Sequence, residues 1–282
     1  MTTYIFPGQG SQMKGMGSEL FPVFPELIQI ADNLLGYSMV DLCLNNPNGQ
    51  LNQTDYTQPA LYVVNALSYL SAKKESTVKP SYLAGHSLGE YNALFASGVF
   101  DFETGLKLVQ KRGALMSEAI GGSMAAVIGL KESVVDAILR ENNLSDITIA
   151  NYNSYSQMVI TGPKDVVTNA KTIFIEAGAK LFIPLKVSGA FHSPYMQSAQ
   201  QQFKEYISHF KFAPATIPVI ANVNARPYET HEIASLLADQ MTHSVKWTQT
   251  IEYLMTQGET HFEEVGPGTV LTGLVSRIQK GQ

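Results

Sequence analysis

Gly85-His86-Ser87-Leu88-Gly89 is a G-x-S-x-G sequence set between the apolar run Ser81-Tyr82-Leu83-Ala84 and a helix-like stretch over residues 88–96. Strand, sharp turn and helix in that order are the setting of a nucleophile elbow. Glycines flank the turn because a Cβ at either place would crowd it. The turn lifts the Ser87 hydroxyl to the C-terminal edge of a sheet. The helix behind it aims its N-terminal N–H groups and the positive end of its dipole at the same spot, where an acyl oxyanion can be held. A lone G-x-S-x-G is often just a glycine turn; the flanking strand and helix favour the catalytic reading.

An elbow needs a sheet to stand on, and the periodicity elsewhere supplies one. Residues 3–6 read as a strand ending in Pro7-Gly8-Gln9-Gly10, and helical periodicity follows over 27–35, closed by Gly36. Leu61, Val64, Asn65 and Leu67 mark a helix running toward Lys73 and Lys74; residues 102–116 form another, with Asp101 as its N-cap. In the middle, residues 124–130, 147–151, 157–162 and 179–187 are strand-like, and 133–141 and 165–177 are helical. That order (strand, helix, strand, strand, helix, strand) is the split βαβ, ferredoxin-like unit, expected here as an inserted subdomain over 123–187. Beyond it come a helix over 193–210, a strand over 217–220, helices over 231–241 and 248–257, a strand over 261–265 and a helix over 270–278. The expected fold is therefore α/β: a discontinuous core, 1–122 and 188–282, with a mainly parallel sheet covered on both faces.

Composition removes several classes. The 282 residues are 45% hydrophobic and 15% charged, which suits a packed globule and not a disordered chain. A net charge of −5 argues against a nucleic-acid partner, which needs a basic face. Cys43 is the only cysteine, so no internal disulfide and no multi-cysteine zinc site can form, and no metal is expected. The N-terminus lacks a basic n-region, and Pro7 and Gly8 break its apolar run early. No stretch reaches the roughly 18 apolar residues of a membrane span. The uncharged segment over 56–72 carries Asn65 and Ser68 and reads as a buried helix. These features place the protein in the cytoplasm, with no membrane partner and a monomer as the default.

Ser87 needs a base, because a serine hydroxyl is a weak nucleophile near neutrality. Of the six histidines, His86 adjoins the nucleophile and should point away from it, while His209, His231, His243 and His261 read as surface or hydrogen-bonded residues. His192 lies in a loop where the insertion rejoins the core, a position from which a base can reach across a cleft. No acid third member declares itself: Glu90, Asp101, Glu103 and Glu118 fall on or near helices, where a solvated face is the default. A main-chain carbonyl can orient the imidazole instead. Arg112, near the end of its helix, reads either as a surface cation complementing the dipole or as a bidentate ligand for a substrate carboxylate. Gln9 and Gln58 lie beside turn residues and can donate to an oxyanion or a substrate oxygen.

Taken in order, Phe6-Pro7-Gly8-Gln9-Gly10-Ser11-Gln12, Thr57-Gln58-Pro59-Ala60, Gly85-His86-Ser87-Leu88-Gly89-Glu90-Tyr91, Lys111-Arg112-Gly113 and Glu264-Val265-Gly266-Pro267-Gly268 resemble the signature set of malonyl-CoA:acyl carrier protein transacylases. The resemblance runs from Tyr4 to Ile278. It implies an α/β-hydrolase-like core with a ferredoxin-like insert. It implies malonyl-CoA as acyl donor, an acyl carrier protein as acceptor, and no cofactor. By motif, Ser87 is the acylated nucleophile, His192 its base, and Arg112 the partner of the malonyl carboxylate. Gln9 and the Leu88 N–H form the oxyanion hole, the Gln240 carbonyl orients the histidine, and Gln58 and Met116 join the substrate pocket. Gly189-Ala190-Phe191-His192 resembles the form that goes with malonyl selection in polyketide acyltransferases, where Phe191 fills the space of an α-methyl group. Many fatty-acid transacylases carry serine at that place, so the phenylalanine points to a free-standing, trans-acting polyketide acyltransferase. Two other readings share the Ser–His pair: a hydrolase that clears acyl groups from carrier proteins, for which Arg112 has no use, and a non-catalytic docking subunit.

Overall fold

In the computed structural model, which describes residues 1–75 and 79–282, the described residues form eight strands. These are β1 (Thr2–Phe6), β2 (Tyr82–Gly85), β3 (Gly122–Ile128), β4 (Thr148–Ser154), β5 (Gln157–Pro163), β6 (Leu181–Pro184), β7 (Val219–Ile220) and β8 (His261–Glu264). They make two separate sheets. One has the order β7-β2-β1-β8 and every neighbouring pair is parallel. Its central strands are buried on both faces, as the near-continuous apolar runs Tyr4-Ile5-Phe6 and Leu83-Ala84 require. The other has the order β4-β5-β3-β6 and is antiparallel throughout. The helices Glu132–Glu141 and Lys164–Glu176 cover it and share a core of their own with Val127, Ile149 and Ile160. The fold is thus mixed α/β, with the element order expected from periodicity apart from one added helix.

Parallel pairing brings the C-terminal ends of β1, β2 and β7 to one edge, where ligands of open α/β sheets bind. Gln9 leaves β1 there, Ser87 leaves β2, and Asn222 follows β7. The antiparallel sheet is tied to the same edge, because Val245 N–H donates to the Ala150 carbonyl and Tyr152 N–H to that of Val245.

Several expected bounds shift. The helix predicted from Leu61 begins at Thr54 and runs to Glu75 with Pro59 inside it, so Gln58 is a buried helical residue and not a turn residue. The predicted helix over 193–210 is a 3₁₀ turn, Pro194–Met196, followed by Gln197–Ile207. The strand over 217–220 shortens to Val219–Ile220, with Pro218 directly before it and so unable to donate to the ladder. Ser38 caps an additional helix, Met39–Asn45, too short to show a clear period. Among the described residues no single helix is long and apolar enough to cross a membrane.

Candidate active site

Gly85 and Gly89 bracket a turn so tight that a Cβ on Gly85 would overlap the Gly89 main chain, and one on Gly89 the Phe6 carbonyl. Ser87 sits at its apex with φ of 51°, a left-handed conformation costly for any residue but glycine. Asn222 pins the turn from the other side of β2. Its Oδ1 accepts from the Ser87 N–H (2.8 Å) and its Nδ2 donates to the Gly85 carbonyl (2.7 Å). The Gly89, Glu90 and Tyr91 N–H groups turn back onto the His86, Ser87 and Leu88 carbonyls. Among the described residues no hydrogen bond takes up the Leu88 N–H, leaving it for an oxyanion.

His192 stands 2.9 Å from Ser87 Oγ through Nε2. Its Nδ1 lies 2.8 Å from the Gln240 carbonyl and 3.2 Å from that of His243. Two acceptors at Nδ1 place the proton there, so Nε2 is the acceptor that faces the serine O–H. Gln240 is the C-cap of the helix Ile233–Asp239, where carbonyls lack intrahelical partners. That helix end, with its negative dipole, does what a carboxylate does in a Ser-His-Asp triad. Burial, and then the nearby Arg112 charge, lower the His192 pKa from 6.5 to about 3. The free site therefore holds a neutral base at any pH near 7.

Arg112 does not reach solvent. It is 1% exposed, on the buried stripe Leu108, Arg112, Met116 of the helix Phe102–Ser117. Its guanidinium donates from Nη1 to Gln58 Oε1 (2.7 Å), and from Nη2 to Gln240 Oε1 (2.8 Å) and Ser87 Oγ (3.1 Å). Among the described residues its Nε has no hydrogen-bond partner, and the guanidinium carbon lies over the Tyr91 ring, 5.7 Å from its centre. Neutral amides surround this cation, and the one ion pair among the described residues, Lys107–Glu103, lies elsewhere on the same helix.

A cleft of about 80 Å³ opens over the pair, walled by Gln9, Ser87, Met116, Val187, Phe191 and His192 among others. Pockets that take drug-sized ligands run from roughly 300 Å³; this one admits a short acyl group. Gln9 Nε2 rests on Thr54 Oγ1 at 3.3 Å. Gln58 stands behind the wall, with Nε2 donating to Met116 Sδ (3.2 Å). A larger groove of about 560 Å³, beside Lys131, Asp136 and Glu252, contains none of these residues.

Two expectations are corrected. The surface alternative for Arg112 fails on its burial. His86, expected to point away from the nucleophile, is half-buried in the cleft wall, turned onto Asn153 Oδ1 (2.8 Å) and packed edge-on to Trp247. Glu90, read as a solvated helix residue, is fully buried, whereas Asp101 caps its helix and Glu103 and Glu118 are exposed as expected. Asn222, Asn153 and Tyr228 were not legible: each contacts the elbow region from far along the chain.

The chain matches the model of the acyl transferase domain over residues 3–280. It is 57% identical over 281 residues to a Bacillus subtilis (strain 168) protein named polyketide biosynthesis malonyl CoA-acyl carrier protein transacylase PksC, covering 99% of this chain and 98% of that one. Its structure superposes with a TM-score of 0.96 and 46% identity on a malonyl CoA-acyl carrier protein transacylase from Burkholderia pseudomallei, covering 100% and 99% of the two chains. It also resembles a malonyl-transacylase solved in complex with a type II PKS acyl-carrier protein (TM-score 0.94, 36% identity, 99% and 93% covered).

Proposed function

The chain belongs to the acyl transferase domain family, and from that premise we propose that it moves malonyl from malonyl-CoA to the phosphopantetheine thiol of an acyl carrier protein by a ping-pong route through malonyl-Ser87. His192 Nε2 takes the Ser87 proton as Oγ attacks the thioester carbonyl. The carbonyls of Gln240 and His243 favour the imidazolium that forms. The tetrahedral oxyanion meets the Leu88 N–H and the Gln9 amide, turned from Thr54; each such donor contributes about 3–4 kcal/mol. Collapse breaks the C–S bond, and the CoA sulfur leaves with the proton from Nε2. The carrier thiol then gives its proton to His192, attacks malonyl-Ser87, and restores the free hydroxyl.

One observation carries the acid selectivity: a buried guanidinium touches the nucleophile's oxygen and has no carboxylate of its own. A malonyl carboxylate supplies that missing charge bidentately. A neutral acyl chain leaves the cation unmatched in a dry site, which is costly. Phe191, 4% exposed on the cleft wall, stands against an α-methyl. Phe191→Ser is expected to raise methylmalonyl-CoA turnover relative to malonyl-CoA by about 10–100-fold, the worth of one methylene in a packed pocket; an unchanged ratio in a competition assay removes Phe191 as the gate.

We read the parallel-sheet portion, 1–122 and 188–282, as an α/β-hydrolase-like core, and 123–187 as a ferredoxin-like subdomain inserted into it. The β4-β5-β3-β6 order and its separate apolar core support that division. The malonyl group feeds polyketide extension, as the name of the Bacillus relative suggests. We place the working enzyme in the cytoplasm as a monomer. Incubation with malonyl-CoA and a holo carrier protein tests the transfer: malonyl on the carrier thiol supports it, and free malonate as the main product supports the hydrolase instead.

A further inference from the structure

Glu90 takes no part in the transfer steps above, yet among the described residues it is the one carboxyl group buried against the site. It lies in the first turn of the helix Gly89–Ala96, directly behind the elbow. Its Oε1 accepts from the Asn222 N–H (2.9 Å) and the Tyr228 hydroxyl (2.5 Å), and its Oε2 accepts from Gln240 Nε2. Two of these groups can only donate and the third does so readily, so the pattern suits a carboxylate. Gln240 in turn has a single workable orientation. Its Nε2 donates to Glu90 and to the Ser87 carbonyl (2.9 Å), and its Oε1 accepts from Arg112.

We propose that Glu90 is a positioning residue for acid selection: it holds the Gln240 amide with its oxygen toward Arg112, and so aims the guanidinium over Ser87. It also places a negative charge one amide away from a buried cation. A carboxylate bonded directly to Arg112 would fill the fork that the substrate acid must enter. The intervening amide keeps the fork open while the charge still offsets part of the cost of burial. Burial raises the Glu90 carboxyl to about 7 against the pull of its three donors and of Arg112. Tyr91 also faces it.

The inference rests on the malonyl-transfer reading and is tested through malonyl preference. In Glu90→Gln, the new amide offers its oxygen to Asn222 and Tyr228 and its NH2 to Gln240. Two donors then face each other, and Gln240 turns its NH2 toward Arg112. The variant keeps its fold, and its kcat/KM for malonyl-CoA is expected to fall about tenfold or more, mainly through KM, the scale of one lost hydrogen bond to a charged group. Transfer from acetyl-CoA, which has no carboxylate for Arg112 to bind, falls by a smaller factor, through the disturbed Gln240 and Arg112 bonds to Ser87 alone, so the malonyl-to-acetyl ratio drops. Tyr228→Phe removes one donor to Glu90 and moves the malonyl-to-acetyl ratio the same way by a smaller factor. Equal losses on both donors, or an unchanged ratio, in a folded variant overturn the inference. Should Glu90→Gln fail to fold, Tyr228→Phe decides by the same ratio. A wild-type protein without malonyl preference sinks the transfer reading itself, a separate result.

Discussion

Ser87 and His192 both sit at positive φ, 51° and 58°. Side chains in that region are strained by about 1–3 kcal/mol each, and the surrounding contacts must hold them there. Ser87→Gly removes the strain together with the hydroxyl, while Ser87→Ala removes only the hydroxyl. Urea denaturation is expected to find the glycine variant the more stable by about 1 kcal/mol or more; equal midpoints would mean that the elbow is relaxed. Arg112 makes the other residue-scale prediction. On the proposed role, Arg112→Ala gives up a bidentate carboxylate contact and is expected to lower kcat/KM for malonyl-CoA by about 100-fold or more while affecting acetyl-CoA far less, at roughly 1.5–3 kcal/mol per charge-assisted bond. Equal losses with both donors would remove the carboxylate role. The burial of Arg112 was partly legible. It falls in the row Leu108, Arg112, Met116, and a charge in an otherwise apolar stripe is a signal. Its place near the helix end, where cations ordinarily sit on the surface against the dipole, masks that signal.

At the scale of elements, the elbow was readable because its rules are local: a strand, two glycines that nothing else can replace, and a helix. The lock on the elbow was not. Asn222 reaches Gly85 across 137 positions from the loop after a two-residue strand, and short-range periodicity carries no trace of such a bond. Asn222→Ala leaves the half-buried Ser87 N–H and the buried Gly85 carbonyl without their partner, at about 1–3 kcal/mol for a fully buried group and less for the other. The expected result is a lower urea midpoint and slower Ser87 acylation; an unchanged midpoint would show that the turn holds itself. The length of the helix Thr54–Glu75 escaped for another reason. Gln58-Pro59 looks like a turn, but a proline six residues into a helix removes only one early bond, and tertiary burial on nearly every side outweighs it.

Across the whole molecule, the site couples acyl chemistry to stability through pH. The His192 pKa is about 3 in the folded chain against 6.5 ordinarily. Between those values the unfolded chain takes a proton that the folded one refuses. This contribution to stability is complete above pH 6.5 and drains as pH falls toward 3. Glu90, raised to about 7 from 4.5, has the opposite sign: its contribution is present below pH 4.5 and is lost as pH rises through 7. His192→Asn removes only the first. Its Tm relative to that of the wild type is therefore expected to rise between pH 6.5 and 5, and parallel curves would contradict a buried neutral imidazole. The mixed α/β class and its parallel sheet followed from the alternation of elements, while the strand order did not. The convergence of β1, β2 and β7 on one edge, and the amide network that binds Arg112 to both Ser87 and Glu90, exist only once the chain is folded. The most direct test of the whole account is the intact mass of the protein after brief mixing with equal amounts of malonyl-, methylmalonyl- and acetyl-CoA, with the modified residue mapped by peptide. A single malonyl group on Ser87, formed ahead of the other two, is the predicted result; no adduct, an adduct elsewhere, or a predominantly acetylated serine would contradict it.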